Sequence, residues 1–280
     1  MTRAVQVCAA VALCAAAAAP AAGQPAAQYR RTSGDTLRYH NTTKMDGMVR
    51  GAAGDAPFTL TRDATFAFAF SGGDNVVAWY DALAIDASGA LGGEKSNPEA
   101  LIHAPFRLHM ETNGHSTTVR APELPRNARL IAELPPAFDD FFPRLPKDGN
   151  MRIGATWADT SVRTENDTSG HHLMMRRISY YRALRDSVIG GKPVVVISQH
   201  TDIRINSSMP MQQQPYIAAL ALTGDEDGTA VFCVAEGRML ARERKGELRG
   251  AVTYKGGDEP WVVNQTYHYH RTDTLDRVKP

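Results

Sequence analysis

Beyond the first 23 residues the chain has one cysteine, Cys233, in the stretch GTAVFCVAEG. A catalytic or metal-binding cysteine acts as the thiolate and needs an electropositive, partly exposed setting. Cys233 stands inside the apolar run 230–235, where both faces of a strand would be nonpolar, so it reads as a small buried hydrophobe. Histidines offer metal chemistry. His268 and His270 share one face of an extended strand, and His171-His172 precede Met174-Met175. Met209-x-Met211 and Met45-x-x-Met48 add thioether sulfur, so copper or zinc is the metal such residues would suit. The competing reading is solvated histidines on the polar side of a strand and methionines filling a core. No Cys/His set has structural zinc spacing, and neither a metal nor a cofactor is expected.

Carboxylates give two further candidates. Asp139-Asp140 stand beside Phe141-Phe142, and GDEDG (224–228) gathers acids between glycines. The latter lacks the spaced oxygen ligands of a calcium loop and is expected to be a turn. The former is expected to cap or solvate a helix end. Neither Gly-x-Ser-x-Gly nor Ser-x-x-Lys occurs. His200 and Asp202 share a polar face, as any wet strand face would allow. The basic run RMLARERKGELR carries Arg238, Arg242, Arg244, Lys245 and Arg249 with Glu243 and Glu247 interleaved. It reads as a solvated, edge-protecting face, and it has no aromatic platform for nucleic acid. No catalytic constellation results, and the chain is expected not to be an enzyme.

The elements that must carry these residues are strands. ATFAFAF (64–70) alternates strictly, with Phe66, Phe68 and Phe70 on one face. VVAWYDALAID (76–86) places Val77, Trp79, Leu83 and Ile85 together. VVVISQHTDIRI (194–205) sets Val195, Ile197, Ile203 and Ile205 opposite Ser198, His200, Asp202 and Arg204. WVVNQTYHYHR (261–271) sets Trp261, Val263, Tyr267 and Tyr269 opposite Asn264, Thr266, His268 and His270. Period two of this quality predicts half-buried antiparallel strands. Turns are predicted at Ser71 to Asp74, Asp86 to Gly89, Asn113-Gly114, Gly190-Gly191 and Ala235 to Gly237. Proline-bracketed apolar residues over 124–142 predict one or two short helices. Gly34-Asp35-Thr36-Leu37 and Gly154-Ala155-Thr156-Trp157 open two runs of similar outline, each with a valine-led strand and a closing hairpin. The identity is weak, and an internal duplication stays an open alternative.

The first 23 residues carry one charge, Arg3, an apolar run of small residues, and Ala21-Ala22-Gly23 before Gln24. That is the pattern of a secretory signal peptide. Lipidation at Cys14 is disfavoured, because Leu13 precedes it where a small residue is wanted. Of the 31 basic and 30 acidic residues only Arg3 falls in this segment, so the remainder is balanced. That balance speaks against a nucleic-acid partner, and no later segment is apolar for long enough to span a bilayer.

Four fragments, SGDTLRY, APFRLHMETNGHSTTVRAPELP, FFPRLPKDGNMRIGATW and GTAVFCVAEGRMLARERKGELRGAVTY, resemble bacterial extracytoplasmic proteins of lipoprotein-carrier-like (LolA/LolB-type) half-barrel architecture. The resemblance implies an exported all-β domain around an apolar cavity, holding a lipid, another apolar small molecule or a partner segment. It implies no catalytic residue. The expected fold is mainly β: an antiparallel open or half-barrel sheet, with short helices near the middle. The expected boundaries are 1–23 signal peptide, 24–123 first β half, 124–146 helical connector and 147–280 second β half, in one compact domain. Ligand-cavity candidates are Phe66, Phe68, Phe70, Trp79, Phe106, Trp157, Tyr180, Tyr267 and Tyr269, spread over many strands. The same residues would equally make a packed core, so a scaffold protein of the cell envelope is the main rival. A periplasmic copper or zinc protein, through His268, His270, His171 and His172, is the other.

Overall fold

The computed structural model describes residues 26–30, 32–90, 97–124, 138–166, 170–211, 216–256 and 260–276. They form eleven strands: β1 (Thr36–Gly51), β2 (Gly54–Phe70), β3 (Asn75–Gly89), β4 (Phe106–Met110), β5 (Ser116–Arg120), β6 (Thr156–Asn166), β7 (His172–Ile189), β8 (Lys192–Pro210), β9 (Ile217–Cys233), β10 (Arg238–Lys255) and β11 (Trp261–Leu275). A 3₁₀ turn at Pro98–Leu101 is the one helical element among the described residues. The strands make a single sheet in the order β5-β4-β3-β2-β1-β11-β10-β9-β8-β7-β6. Every ladder is antiparallel, and β5 and β6 stand at opposite edges, so the sheet is open.

The hairpins follow from local chemistry. Gly190 and Gly191, both at positive φ, join β7 to β8 in a two-residue turn, with Ile189 opposite Lys192. Such turns match the twist of the flanking strands and need left-handed residues at both central positions. The two outlined runs also reappear. Gly34 N–H donates to Phe70 O and Phe70 N–H to Asp35 O, closing the start of β1 on the end of β2. Gly154 N–H donates to Ala183 O and Ala183 N–H to Ala155 O, closing β6 on β7 in the same way. Both runs cross the sheet in the same direction, β1 to β5 and β6 to β11.

The sheet is strongly curled. Laid flat, its edges would be about 48 Å apart at the usual strand spacing. Yet His115, just before β5, has Nδ1 3.8 Å from Asp159 Oδ2 of β6, and Arg144 bonds both Gly114 O and Asp159. The inward face is buried at the upper end, where Tyr39, Phe66, Phe68 and Tyr80 form the core. Phe138, Phe141, Phe142 and Leu145 of the connector plug it: Phe141 lies 5.0 Å from Tyr39 and 4.8 Å from Phe68, ring to ring, and Phe138 lies 4.9 Å from Phe106.

Several expectations are corrected here. The connector is described from Phe138 onward, and residues 138–142 are turns, not helix. Its carbonyls are taken by side chains instead of by helical N–H groups: Ser116 donates to Phe138 O and Asp139 O, and Arg242 to Asp140 O and Phe141 O. The earlier part of the expected helix, like the 1–23 segment, lies outside the described residues. In β3 the period breaks. Thr65 pairs with Ala82 but Phe66 with Tyr80, leaving Asp81 bulged. The extra residue flips the face, so Leu83 and Ile85 point inward while Val77 and Trp79 point outward. Asp86 to Gly89 continue β3 rather than turn, and GDEDG lies in the middle of β9.

Candidate functional site

Below the aromatic plug, the inward positions turn from apolar to charged. On β2 the series Phe66, Ala64, Arg62, Leu60, Phe58 runs down the inner face; on β10 it is Met239, Arg242, Arg244; on β11, Asp273, Arg271, Tyr269, Tyr267. On β9, Glu226 follows Ala230; on β7, Arg177 lies between Met175 and Tyr181. Ladder register aligns these charges into a band. Arg244 stands directly opposite Arg271, and Thr43 is paired with both Arg271 and Arg62. Arg62, Arg242, Arg244 and Arg271 are each 3% exposed, and Glu226 and Asp273 are 2% and 0% exposed.

Like charges opposed across a ladder are unfavourable, and buried charge needs partners. The carboxylates are shared accordingly. Asp273 accepts from Arg271 (3.1 and 3.2 Å) and from Arg244 (3.3 Å). Glu226 accepts from Arg177 (2.9 Å) and Tyr269 (3.0 Å) and lies 3.6 Å from Arg244. Asp140, from the connector, lies 3.1 Å from Arg144 and 3.6 Å from Arg177. Neutral acceptors complete the band: Asn41 and Thr43 accept from Arg62, and Gln199 Oε1 accepts from Arg242 at 2.5 Å. Arg271 also lies over the faces of Phe66 and Phe141, at 5.8 and 5.7 Å.

The titration of these groups follows from that crowding. Burial pushes the Glu226 carboxyl up, but Arg244, Arg177 and Arg242 outweigh it and hold it at about 2. Burial also raises Asp273 and Asp140, and in each the neighbouring guanidiniums, Arg271 and Arg177 first, reverse the direction to below the ordinary range. Burial draws Arg271 down to about 9, with Asp273 opposing. Burial and then Arg244 draw Arg242 down to about 10. All remain charged at neutral pH.

Below the band, inward positions become apolar again. Phe58, Leu60, Met175, Ile203 and Leu222 are buried, while Val49, Ile205, Leu220, Leu248, Val252 and Val263 are half-buried. Glycines allow the tight coiling here. A Cβ on Gly47 would sit 2.3 Å from the Phe58 ring, and one on Gly246 would sit 2.6 Å from Tyr269.

The sequence-based candidates divide. Phe66, Phe68, Phe70 and Phe106 are plug-lined core. Trp157 stacks on Tyr181 at 5.6 Å and donates to Arg144 O. Tyr267 and Tyr269 lie on the inner face beside the charged band, with Tyr267 against Phe58 at 5.4 Å. Trp79 lies on the outer face and joins none of these; Tyr180, also on the outer face, shares a surface depression with Trp157 and is stacked on His200, whose Nδ1 is 2.8 Å from Asp227. Tyr180, His200 and Asp227 border this depression, of about 630 Å³. His268 and His270 also face outward, toward Glu247 (3.7 Å) and Glu243 (2.9 Å). His171 meets Ser207 and His172 meets Asn166. No group of three or more His, Cys, Asp or Glu able to hold a metal occurs among the described residues. Cys233 is fully buried.

The basic run needs the largest correction. β10 is an interior strand, and Arg242 and Arg244 point into the band rather than to solvent; Lys245 and Arg249 are the exposed members. Asp140 likewise is no helix cap but a partner in the band. Arg62, Arg177, Arg271, Glu226 and Asp273 were not singled out by motif. Their signal is phase: each occupies a position that period two assigns to the apolar face.

No protein-family model matches this chain, and no curated protein does. Solved structures with a partial likeness include Neisserial surface protein A (8% identity, 85% of this chain and 96% of that one, TM-score 0.23). Another is a domain assigned to outer membrane lipoprotein sorting in Vibrio parahaemolyticus (10% identity, 87% of each chain, TM-score 0.23). A third is Pseudomonas aeruginosa OccK2 (7% identity, 86% and 98%, TM-score 0.22). At these scores the folds do not superpose, and the likeness carries no functional argument. No helix among the described residues is long and apolar enough to cross a membrane.

Proposed function

We propose that this is an exported, non-enzymatic binding protein that holds an apolar or amphiphilic small molecule against the lower part of its inward sheet face. The observation that carries this reading is the division of that face. Its upper part is closed by the chain's own connector, whereas Val49, Ile205, Leu220, Leu248, Val252 and Val263 form a half-buried apolar band across β1 and β8–β11. Concave, mostly apolar surfaces with a few converging polar groups are the usual form of small-ligand sites. Export is supported by the charge and small-residue pattern of residues 1–23.

Native mass spectrometry of gently purified protein, with titration by an environment-sensitive fatty-acid probe, tests the reading. Probe binding that is weakened at least about tenfold by Leu248→Asp, with an unchanged circular dichroism spectrum, is expected. Absence of both co-purified lipid and probe binding would sink it. The second reading, an envelope scaffold with a packed core, is favoured by the aromatic plug of Phe138, Phe141 and Phe142, and it expects that no probe binds.

A further inference from the structure

The charged band holds more cation than it needs. Among the described residues, six buried guanidiniums, of Arg62, Arg144, Arg177, Arg242, Arg244 and Arg271, stand against three carboxylates within the band, Asp140, Glu226 and Asp273, with Asp159 beside Arg144. Each carboxylate is already shared between two guanidiniums. Arg242 is bonded to neutral acceptors alone, the carbonyls of Asp140 and Phe141 and the side chain of Gln199. The Nε atoms of Arg242 and Arg244, which sit at i and i+2 on the inner face of β10, are buried and have no hydrogen-bond partner. A buried guanidinium donor without an acceptor and a surplus charge in a low-dielectric interior are both unfavourable. Both are relieved by a bound anion.

We propose that the ligand of the lower face is a long-chain carboxylic acid, its carboxylate bound by Arg242 and Arg244 and its tail lying along the half-buried apolar band. This rests on the binding reading above and specifies its substrate class. Charge calls for an anionic head group, because the buried guanidiniums outnumber the carboxylates that meet them. Geometry selects it too. A guanidinium and a carboxylate match as planar forks. The tail continues from Arg244 down β10, whose next inward residues are Gly246, Leu248, Gly250 and Val252.

Calorimetric titration of the mature chain with decanoate and with 1-decanol, which share a tail length, separates head from tail. Decanoate is expected to bind at least about tenfold more tightly, and Arg242→Gln, folded by circular dichroism, to bind the two alike. Equal binding by the unaltered protein, or a preference kept in Arg242→Gln, overturns the carboxylate assignment and leaves the apolar site standing. Extraction of phosphatidylglycerol from vesicles without a decanoate preference also overturns the assignment. Binding of neither ligand overturns the underlying reading. If Arg242→Gln fails to fold, the comparison of the two ligands on the unaltered protein decides by itself.

Discussion

Replacing Glu226 by glutamine removes one charge from the buried band while keeping the shape and an acceptor for Tyr269 and Arg177. The carboxyl is held at about 2 against an ordinary 4.5. At 1.36 kcal/mol per unit that displacement is worth about 3 kcal/mol of folding stability at neutral pH. An independent route gives the same scale, since removing one partner of a buried ion pair costs about 3–5 kcal/mol. For a chain of this length the loss lowers the melting temperature by about 6–12 °C. Because the folded value is depressed, the contribution is fully present above pH 4.5 and is lost as pH falls through 2. Urea unfolding of the two proteins should therefore differ by about 3 kcal/mol at pH 7 and by only about 1 kcal/mol at pH 3. A deficit below about 1 kcal/mol at pH 7, or one that is the same at pH 7 and pH 3, would refute the claim that Glu226 is an ionised partner of Arg177 and Arg244.

Other substitutions probe the plug and the coiling. Phe141 is fully buried among Tyr39, Phe66 and Phe68, so Phe141→Ala should cost about 3–5 kcal/mol in urea unfolding; a loss under 1 kcal/mol would mean that the connector does not fill the upper face. A Cβ on Gly224 would lie 1.8 Å from Glu247 O, whereas one on Gly34 meets nothing within 4 Å. Gly224→Ala should therefore cost more than Gly34→Ala, whose left-handed φ of +91° alone costs about 1–2 kcal/mol; the reverse order in thermal melts contradicts the close approach of β9 and β10. The Cys233 thiol is buried, so aromatic disulfide reagents should modify it at the rate of unfolding rather than of a free thiol, and rapid labelling of the folded protein argues against its place in the core.

Much of the architecture is legible in the sequence because strands report their burial every second residue. Phe66, Phe68 and Phe70 fall on the face that alternation assigns them, and Gly190-Gly191 and Asn113-Gly114 turn where their backbone freedom predicts. The reading failed where one residue changes the phase. Asp81 bulges out of β3, and everything on one side of it changes face, which is why Trp79 was grouped with Leu83. It failed again where residue type was allowed to override phase. Arg242 and Arg244 alternate with Glu243 and Lys245, and a run that rich in charge reads as solvated. Only the neighbouring strands, each carrying an arginine or a carboxylate in an inward position, show that alternate members are paired inside. Glu226 was read as part of a turn because glycines flank it, yet Gly224 and Gly228 serve to let β9 approach β10. A buried polar network is dispersed over β1, β2 and β7–β11 with no local spacing, so it has no motif to find.

The order of the strands explains why the inward face is plugged by the chain itself. Both runs cross the sheet in the same direction, and β1 joins β11 at the centre. The first run therefore ends at one edge and the second must begin at the other. On the curled sheet these two edges approach each other, and the part of the connector from Phe138 to Leu145 lies against the inner face between them. Once there, its apolar side chains complete the core, while its carbonyls and the Asp140 carboxylate must be satisfied by the sheet. Arg177 and Arg242 do this, with Arg144 of the connector itself also bonding Asp140. The guanidinium band thus begins as the counterpart of a crossing segment. The cations nearest the connector are explained by it, and Arg244 and Arg271, one row further down, are held by Glu226 and Asp273 of the sheet itself.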